Sequence, residues 1–105
     1  MQIQLNTDTH ITGDARTLEV VEDMLQSEIG HLGHRLSRIE VHLADENGGK
    51  GGADDIRCTL EARPEGLQPH TVVHRDADVK SALRNGAKKL RAHLESEFGR
   101  LDKRR

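Results

Sequence analysis

The run Ile56-Arg57-Cys58-Thr59-Leu60-Glu61-Ala62-Arg63 alternates apolar and polar side chains at every step. A β-strand sends successive side chains to opposite faces, so this segment is a strand with one greasy face and one wet face. Working outward, Ile39, Val41 and Leu43 alternate with Arg38, Glu40 and His42 in the same way. Ile3 and Leu5 alternate with Gln2, Gln4 and Asn6. On the other side, Pro64-Glu65-Gly66 is a tight turn leading into a strand from Leu67 to His74. The adjacent Val72 and Val73 leave the register of that strand open, and Pro69 marks it as an edge. Apolar faces that all point one way need a covering layer.

Two helical stretches supply the cover. Asp14 is placed to cap a helix over Ala15 to Leu32, in which Leu18, Val21, Leu25, Ile29 and Leu32 recur at helical spacing, and Gly30 and Gly33 mark its end. The outer face of this helix is acidic, with Glu19, Glu22, Asp23 and Glu28 against Arg16. Asp76 or Asp78 caps a second helix, whose Val79, Leu83, Ala87, Leu90, Leu94, Phe98 and Leu101 form one apolar stripe; the tail Asp102 to Arg105 frays. The order strand, helix, strand, strand, strand, helix predicts an α+β fold, β-α-β-β-β-α. It is a four-stranded mixed sheet with both helices packed on one face, and residues 1–105 form a single domain. The first strand, helix and second strand make a right-handed crossover that sets strands one and two parallel; the other connections are hairpins. Asp45 to Asp55, Gly-rich and polar, reads as a long flexible hairpin tip.

Composition narrows the function. With 105 residues, 33% hydrophobic and 32% charged, the core is thin, and a two-domain enzyme with a large buried cavity is excluded. One Phe, no Trp and no Tyr remove recognition schemes that stack bases on several rings. The single Cys58 forms no internal disulfide, so a reducing compartment is expected. Met1 to Asn6 has neither a basic start nor an apolar run, and no stretch approaches the ~20 apolar residues of a membrane span. A cytoplasmic protein without a membrane partner is expected.

The net charge is −2, but its distribution is uneven. Residues 1–75 carry 7 basic and 13 acidic side chains, whereas residues 76–105 carry 9 basic and 5 acidic. On a helical wheel with Val79 at zero, Lys80, Arg91, Arg84 and Lys88 fall at about 100, 120, 140 and 180°, one stripe beside the buried edge, with Lys89 on the other flank. From Lys80 to Lys88 the stripe is about 12 Å long, the reach of a few phosphates. The bland alternative for such a stripe is an ordinary solvated helix face.

Other constellations carry less. His31 and His34 sit at a helix end, where an imidazole near the terminal carbonyls needs no metal. His42, His70 and His74 would converge on the open sheet face only if the fourth strand turns its even residues outward, and no further ligand completes a zinc set. Cys58 falls on the inward alternation and reads as a small buried hydrophobe. Asp45-Glu46 and Asp54-Asp55 read as solvated loop charge rather than a cation cage. Ser27, Ser37, Ser81 and Ser96 lie in no nucleophile turn, and no glycine motif cradles phosphate. No enzyme, cofactor or small-molecule substrate is expected.

The runs Pro64-Glu65-Gly66-Leu67, then His74-Arg75-Asp76-Ala77-Asp78-Val79-Lys80-Ser81-Ala82-Leu83, then Ala87-Lys88-Lys89-Leu90-Arg91-Ala92-His93-Leu94, resemble the bacterial ribosome hibernation-promoting factor family. That family is also called ribosome-associated inhibitor or sigma-54 modulation protein. Ile3-Gln4-Leu5-Asn6, the first helix and Ile39-Glu40-Val41-His42-Leu43 are similar to its opening half. The resemblance implies a protein that occupies the messenger and transfer RNA channel of the small ribosomal subunit and holds idle ribosomes inactive, as in a stress response. It further implies that Lys80, Arg84, Lys88, Lys89 and Arg91 contact ribosomal RNA phosphates, with Arg75 at the strand-to-helix junction as an additional contact. Many members carry an aromatic residue where Lys80 stands, and a more basic first helix. A divergent protein-interaction module of the same fold is the alternative, and self-association through the strand that contains Pro69 is a further expectation.

Overall fold

The computed structural model describes residues 1–46 and 55–103. The elements are β1 (Gln2–Thr7), α1 (Ala15–Ile29), a 3-10 turn (Gly30–Arg35), β2 (Leu36–Asp45), β3 (Ile56–Pro64), β4 (His70–Asp76) and α2 (Val79–Lys103). The sheet order is β1-β2-β3-β4, with β1 parallel to β2 and the other neighbours antiparallel. This is the expected α+β architecture. The tip of the hairpin read over Asp45 to Asp55 lies outside the described residues, as do Arg104 and Arg105 of the tail.

The core is a single apolar layer between sheet and helices. Val21, Leu25 and Ile29 of α1 and Leu83, Leu90 and Leu94 of α2 are fully buried against Ile39, Val41, Cys58 and Leu60, and Phe98 closes one end. No polar or charged residue among those described is buried. Helix α2 lies over β3 and β4, and α1 lies beside it. The close approach of α2 depends on Gly86, where a Cβ would already sit 3.5 Å from Leu60 and 3.6 Å from the Cys58 sulfur. Burial pushes the Cys58 thiol up to about 12, as suits a thiol used for packing.

Three boundaries differ from the sequence reading. Helix α2 continues through Asp102 and Lys103 where a frayed tail is expected, and Arg35 donates to the Asp102 carboxylate at 3.2 Å. The α-helical turns of α1 stop at Ile29 and tighten into the 3-10 turn rather than running to Leu32. Glycine is a poor helix former, and at Gly33 the backbone packs under Met1, whose Cβ is 3.5 Å from where a glycine substituent would stand. Strand β4 starts at His70 and not at Leu67. The Leu67 amide donates to the Pro64 carbonyl in a turn that uses the left-handed Gly66 (φ 75°), and Pro69 has no amide to give the sheet. Strand β4 is an edge, and Val72 fixes its register: Val72 is buried while Val73 is exposed.

Candidate nucleic-acid interface

Helix α2 is anchored by Asp78, whose carboxylate accepts from the Ser81 amide at 2.8 Å. Asp76, the other candidate cap, braces the junction. It accepts from Asn85 Nδ2 at 2.9 Å and from the Ala77 amide at 2.9 Å, and lies 3.2 Å from His74 Nε2. These three contacts, the Asn85 bond foremost, hold its carboxyl below the usual carboxylate value. The start of α2 is therefore fixed relative to β4, and the cations of its first turns project from a rigid base.

Lys80, Arg84 and Lys88 are exposed along one line of α2, at successive four-residue steps of about 6 Å. None of the three forms an ion pair among the described residues. Lys80 and Arg84 form one wall of a shallow furrow of about 320 Å³ between the helices, with Val20, Met24 and Ser27 opposite. Asp23 stands on the same opposite wall and pairs with neither cation.

The other three candidate residues are engaged within the molecule. Arg91 donates to Glu28 Oε2 at 3.0 Å and lies 3.7 Å from Glu95 Oε1. Glu28, assigned to the outer acidic face of α1 by the sequence reading, instead faces α2 with its side chain only 14% exposed. Arg75 donates to Glu46 Oε1 at 2.8 Å, and Arg57 adds a contact at 3.9 Å. Lys89 crosses to the free edge of β4 and donates to the Val73 carbonyl at 3.0 Å. The structure thus brings Lys80, Arg84 and Lys88 together as one unpaired row and sets Arg75, Lys89 and Arg91 apart from it.

The open face of the sheet is polar and internally paired. Glu40 and Glu61 stand directly opposite each other on β2 and β3. Arg63 is 3.3 Å from Glu40 and 2.7 Å from Glu61, and Arg38 is 3.4 Å from Glu40. Burial works against the charge on Glu40, but the Glu61 hydrogen bond and the two arginines outweigh it and hold the Glu40 carboxyl low. The three histidines do not converge. His42 shares the open face with Thr59 and Val73, whereas His70 and His74 lie in phase with the buried Val72 on the helix side. The even residues of β4 turn inward because the core takes Val72, and no cluster suited to a metal ion occurs among the described residues.

Sequence reasoning missed a second depression, at the end of the molecule where both helices begin. It has a volume of about 460 Å³ and is walled by His10, Ile11, Val20, Ile56, Val79 and Lys80. Its lining comes from segments scattered along the chain, so no spacing announces it. No helix among the described residues is long and apolar enough to cross a membrane.

No protein-family model matches the sequence, and no significant match occurs among curated proteins. Solved structures do match. A ribosomal subunit interface protein from Coxiella burnetii superposes with a TM-score of 0.77 at 14% identity, over 94% of this chain and 99% of that one. The N-terminal domain of Protein Y from Thermus thermophilus superposes with a TM-score of 0.69 at 17% identity, over 91% and 98% of the two chains. The β-α-β-β-β-α chain described above has the fold that these two proteins share, with no large segment left over on either side.

Proposed function

We propose that this protein is a ribosome-associated regulator of translation that binds the small ribosomal subunit in the messenger and transfer RNA channel and holds idle ribosomes inactive. The observation that carries the reading is the unpaired row Lys80, Arg84 and Lys88 on an anchored helix. Folded RNA offers phosphates at fixed positions, and a rigid row of cations one helical turn apart meets them without reading sequence or stacking bases. The fold likeness to a ribosomal subunit interface protein supports the same partner. Action by occlusion needs no catalytic group, and a ribosomal partner places the protein in the cytoplasm. Arg75, Lys89 and Arg91, also expected to contact RNA, take a lesser part, because each would first have to leave an internal acceptor.

A second reading has an observation of its own. Glu19, Glu22 and Asp23 are exposed on α1 and present an acidic surface beside the row, which suits a basic protein partner better than RNA. The salt dependence of binding separates the two. Neutralising about three phosphates gives a fall of log affinity with log salt of slope −2 to −3. Cosedimentation with purified small subunits over a salt series measures it. The double variant Arg84→Glu, Lys88→Glu should lose cosedimentation while its circular dichroism spectrum and melting midpoint stay those of the parent. Unchanged cosedimentation rejects the ribosomal reading.

A further inference from the structure

The depression at the common end of the helices is built differently from the furrow it continues. Its floor is aliphatic, from Ile11, Val20, Ile56 and Val79, and its rim carries Arg16, Lys80 and His10. The wall formed by the β1–α1 connection is held in place. The Asp8 carboxylate accepts from the amides of His10, Ile11 and Asp45 at 3.0, 3.1 and 2.9 Å, and Thr17 Oγ1 donates to the Thr12 carbonyl at 2.7 Å. The two carboxylates at the margin are already committed: Asp14 to the Thr17 amide, and Asp45 to contacts within the molecule. A hydrogen bond leaves a carboxylate charged, so the rim holds charges of both signs, Arg16 and Lys80 together with Asp14 and Asp45. Lys80 and Val20 line both depressions, so the pocket opens directly onto the cation row.

We propose that this pocket receives one unstacked base of the RNA whose phosphates lie along Lys80, Arg84 and Lys88. The inference rests on the ribosomal reading and deepens it. A phosphate by itself has no use for an aliphatic floor, and an apolar peptide side chain has no use for a rim that bears charges of both signs. A nucleotide has both parts, a flat ring of low polarity and an anionic link one step away. A volume of about 460 Å³ is within the range that holds small planar ligands. Proteins that take bases out of a strand usually offer aromatic faces or a guanidinium plane. This chain has one aromatic residue, Phe98, under Arg35 at the far end of α2, so the aliphatic walls and the Arg16 guanidinium do that work here.

The test fills the pocket without touching the cation row. Thr12→Trp places a ring at the mouth from an exposed loop position, and Ile11→Phe does so from the wall, at a residue that lines this pocket and not the furrow. Circular dichroism and melting midpoints identify any variant that fails to fold, and the other then carries the experiment. Binding to purified small subunits is measured over a salt series, and base reactivity in the subunit RNA is probed with dimethyl sulfate and a carbodiimide. The parent protein should protect an unpaired base on its pairing edge. The filled variants should lose that protection and bind about five- to thirtyfold more weakly, the scale of one buried base, with an unchanged salt slope. Protection and affinity within twofold of the parent overturn the inference while leaving the cation row standing. Weaker binding with an altered slope, or without any change in base reactivity, overturns it too, since the pocket would then serve a phosphate or a protein side chain. If the parent itself does not bind small subunits, the underlying reading falls and takes this one with it.

Discussion

The α1-facing flank of α2 and the open face of the sheet both carry arginine or lysine, yet they present opposite surfaces. On the sheet, Arg38, Arg57, Arg63 and Arg75 are each within 4 Å of a carboxylate of the same molecule. On α2, Lys80, Arg84 and Lys88 have none among the described residues. The lesson is that charge content does not measure what a surface offers a polyanion. A paired arginine must give up its carboxylate before it meets a phosphate, so it contributes less counterion release and less affinity. A surface of four paired arginines is weaker bait than a row of three unpaired cations.

That contrast is broken most severely by charge reversal on α2. Arg84→Glu with Lys88→Glu exchanges two attractive contacts for two repulsive ones, and affinity for small subunits should fall by a factor of 100 or more at low salt, with most of the salt slope gone. A loss under tenfold would mean that binding energy lies elsewhere. A second change sharpens the contrast by moving a residue from one class to the other. Glu28→Gln removes the nearer of the two negative charges that hold Arg91, leaves it the 3.7 Å contact with Glu95, and so frees more of its positive charge to extend the row toward the C-terminal half of α2. Affinity should rise two- to fivefold, with the slope steeper by nearly one unit. The cost in stability is small, because the pair is partly exposed and such pairs are worth about 0.2–1 kcal/mol. Unchanged affinity in Glu28→Gln would place Arg91 outside the interface altogether.

A third comparison sets the two faces of β3 side by side. Cys58 points into the core, and its neighbour Thr59 points to the open face. The folded thiol stays protonated until pH nears 12, whereas an unfolded thiol ionises near 9.0. The folded pKa is the higher one, so this contribution to stability is complete below pH 9 and is lost as pH rises toward 12. A thiol reagent at pH 8 should therefore label Cys58 only as fast as the protein opens, and a Thr59→Cys variant should label at once through its new thiol. Rapid labelling of Cys58 in the parent would contradict the packing of α2 on β3.

The parts of this picture that were legible in the sequence are those governed by short periods. The alternation of Ile56 to Arg63 gave a one-sided strand, and the spacing of Val79 to Leu101 gave a helix with its cations beside the buried stripe. What escaped is governed by contacts across long separations. Arg91 and Glu28 are 63 residues apart, and Arg75 and Glu46 are 29 apart, so no local pattern says that either arginine is engaged. Glu28 was misplaced because it lies just beside the buried Leu25 and Ile29, where a small rotation of the helix decides between solvent and the neighbouring helix. The Val72-Val73 doublet hid the register of β4 for a simpler reason: both residues suit the core, and only packing chose Val72.

The smallest effect is the most demanding test. Arg57→Gln with Arg75→Gln removes two positive charges, as many as the α2 variant removes before reversal. Both arginines share the Glu46 carboxylate, which is itself 39% exposed and is left to water rather than buried alone. Stability should drop by less than about 1 kcal/mol. Affinity for small subunits should stay within twofold of the parent, with the same salt slope, because Glu46 offsets one of the two charges and neither arginine belongs to the row on α2. A tenfold loss would show that RNA draws Arg57 and Arg75 away from Glu46 and that the open face is a second contact surface. Pairing within the molecule would then be a reserve of charge rather than a mask.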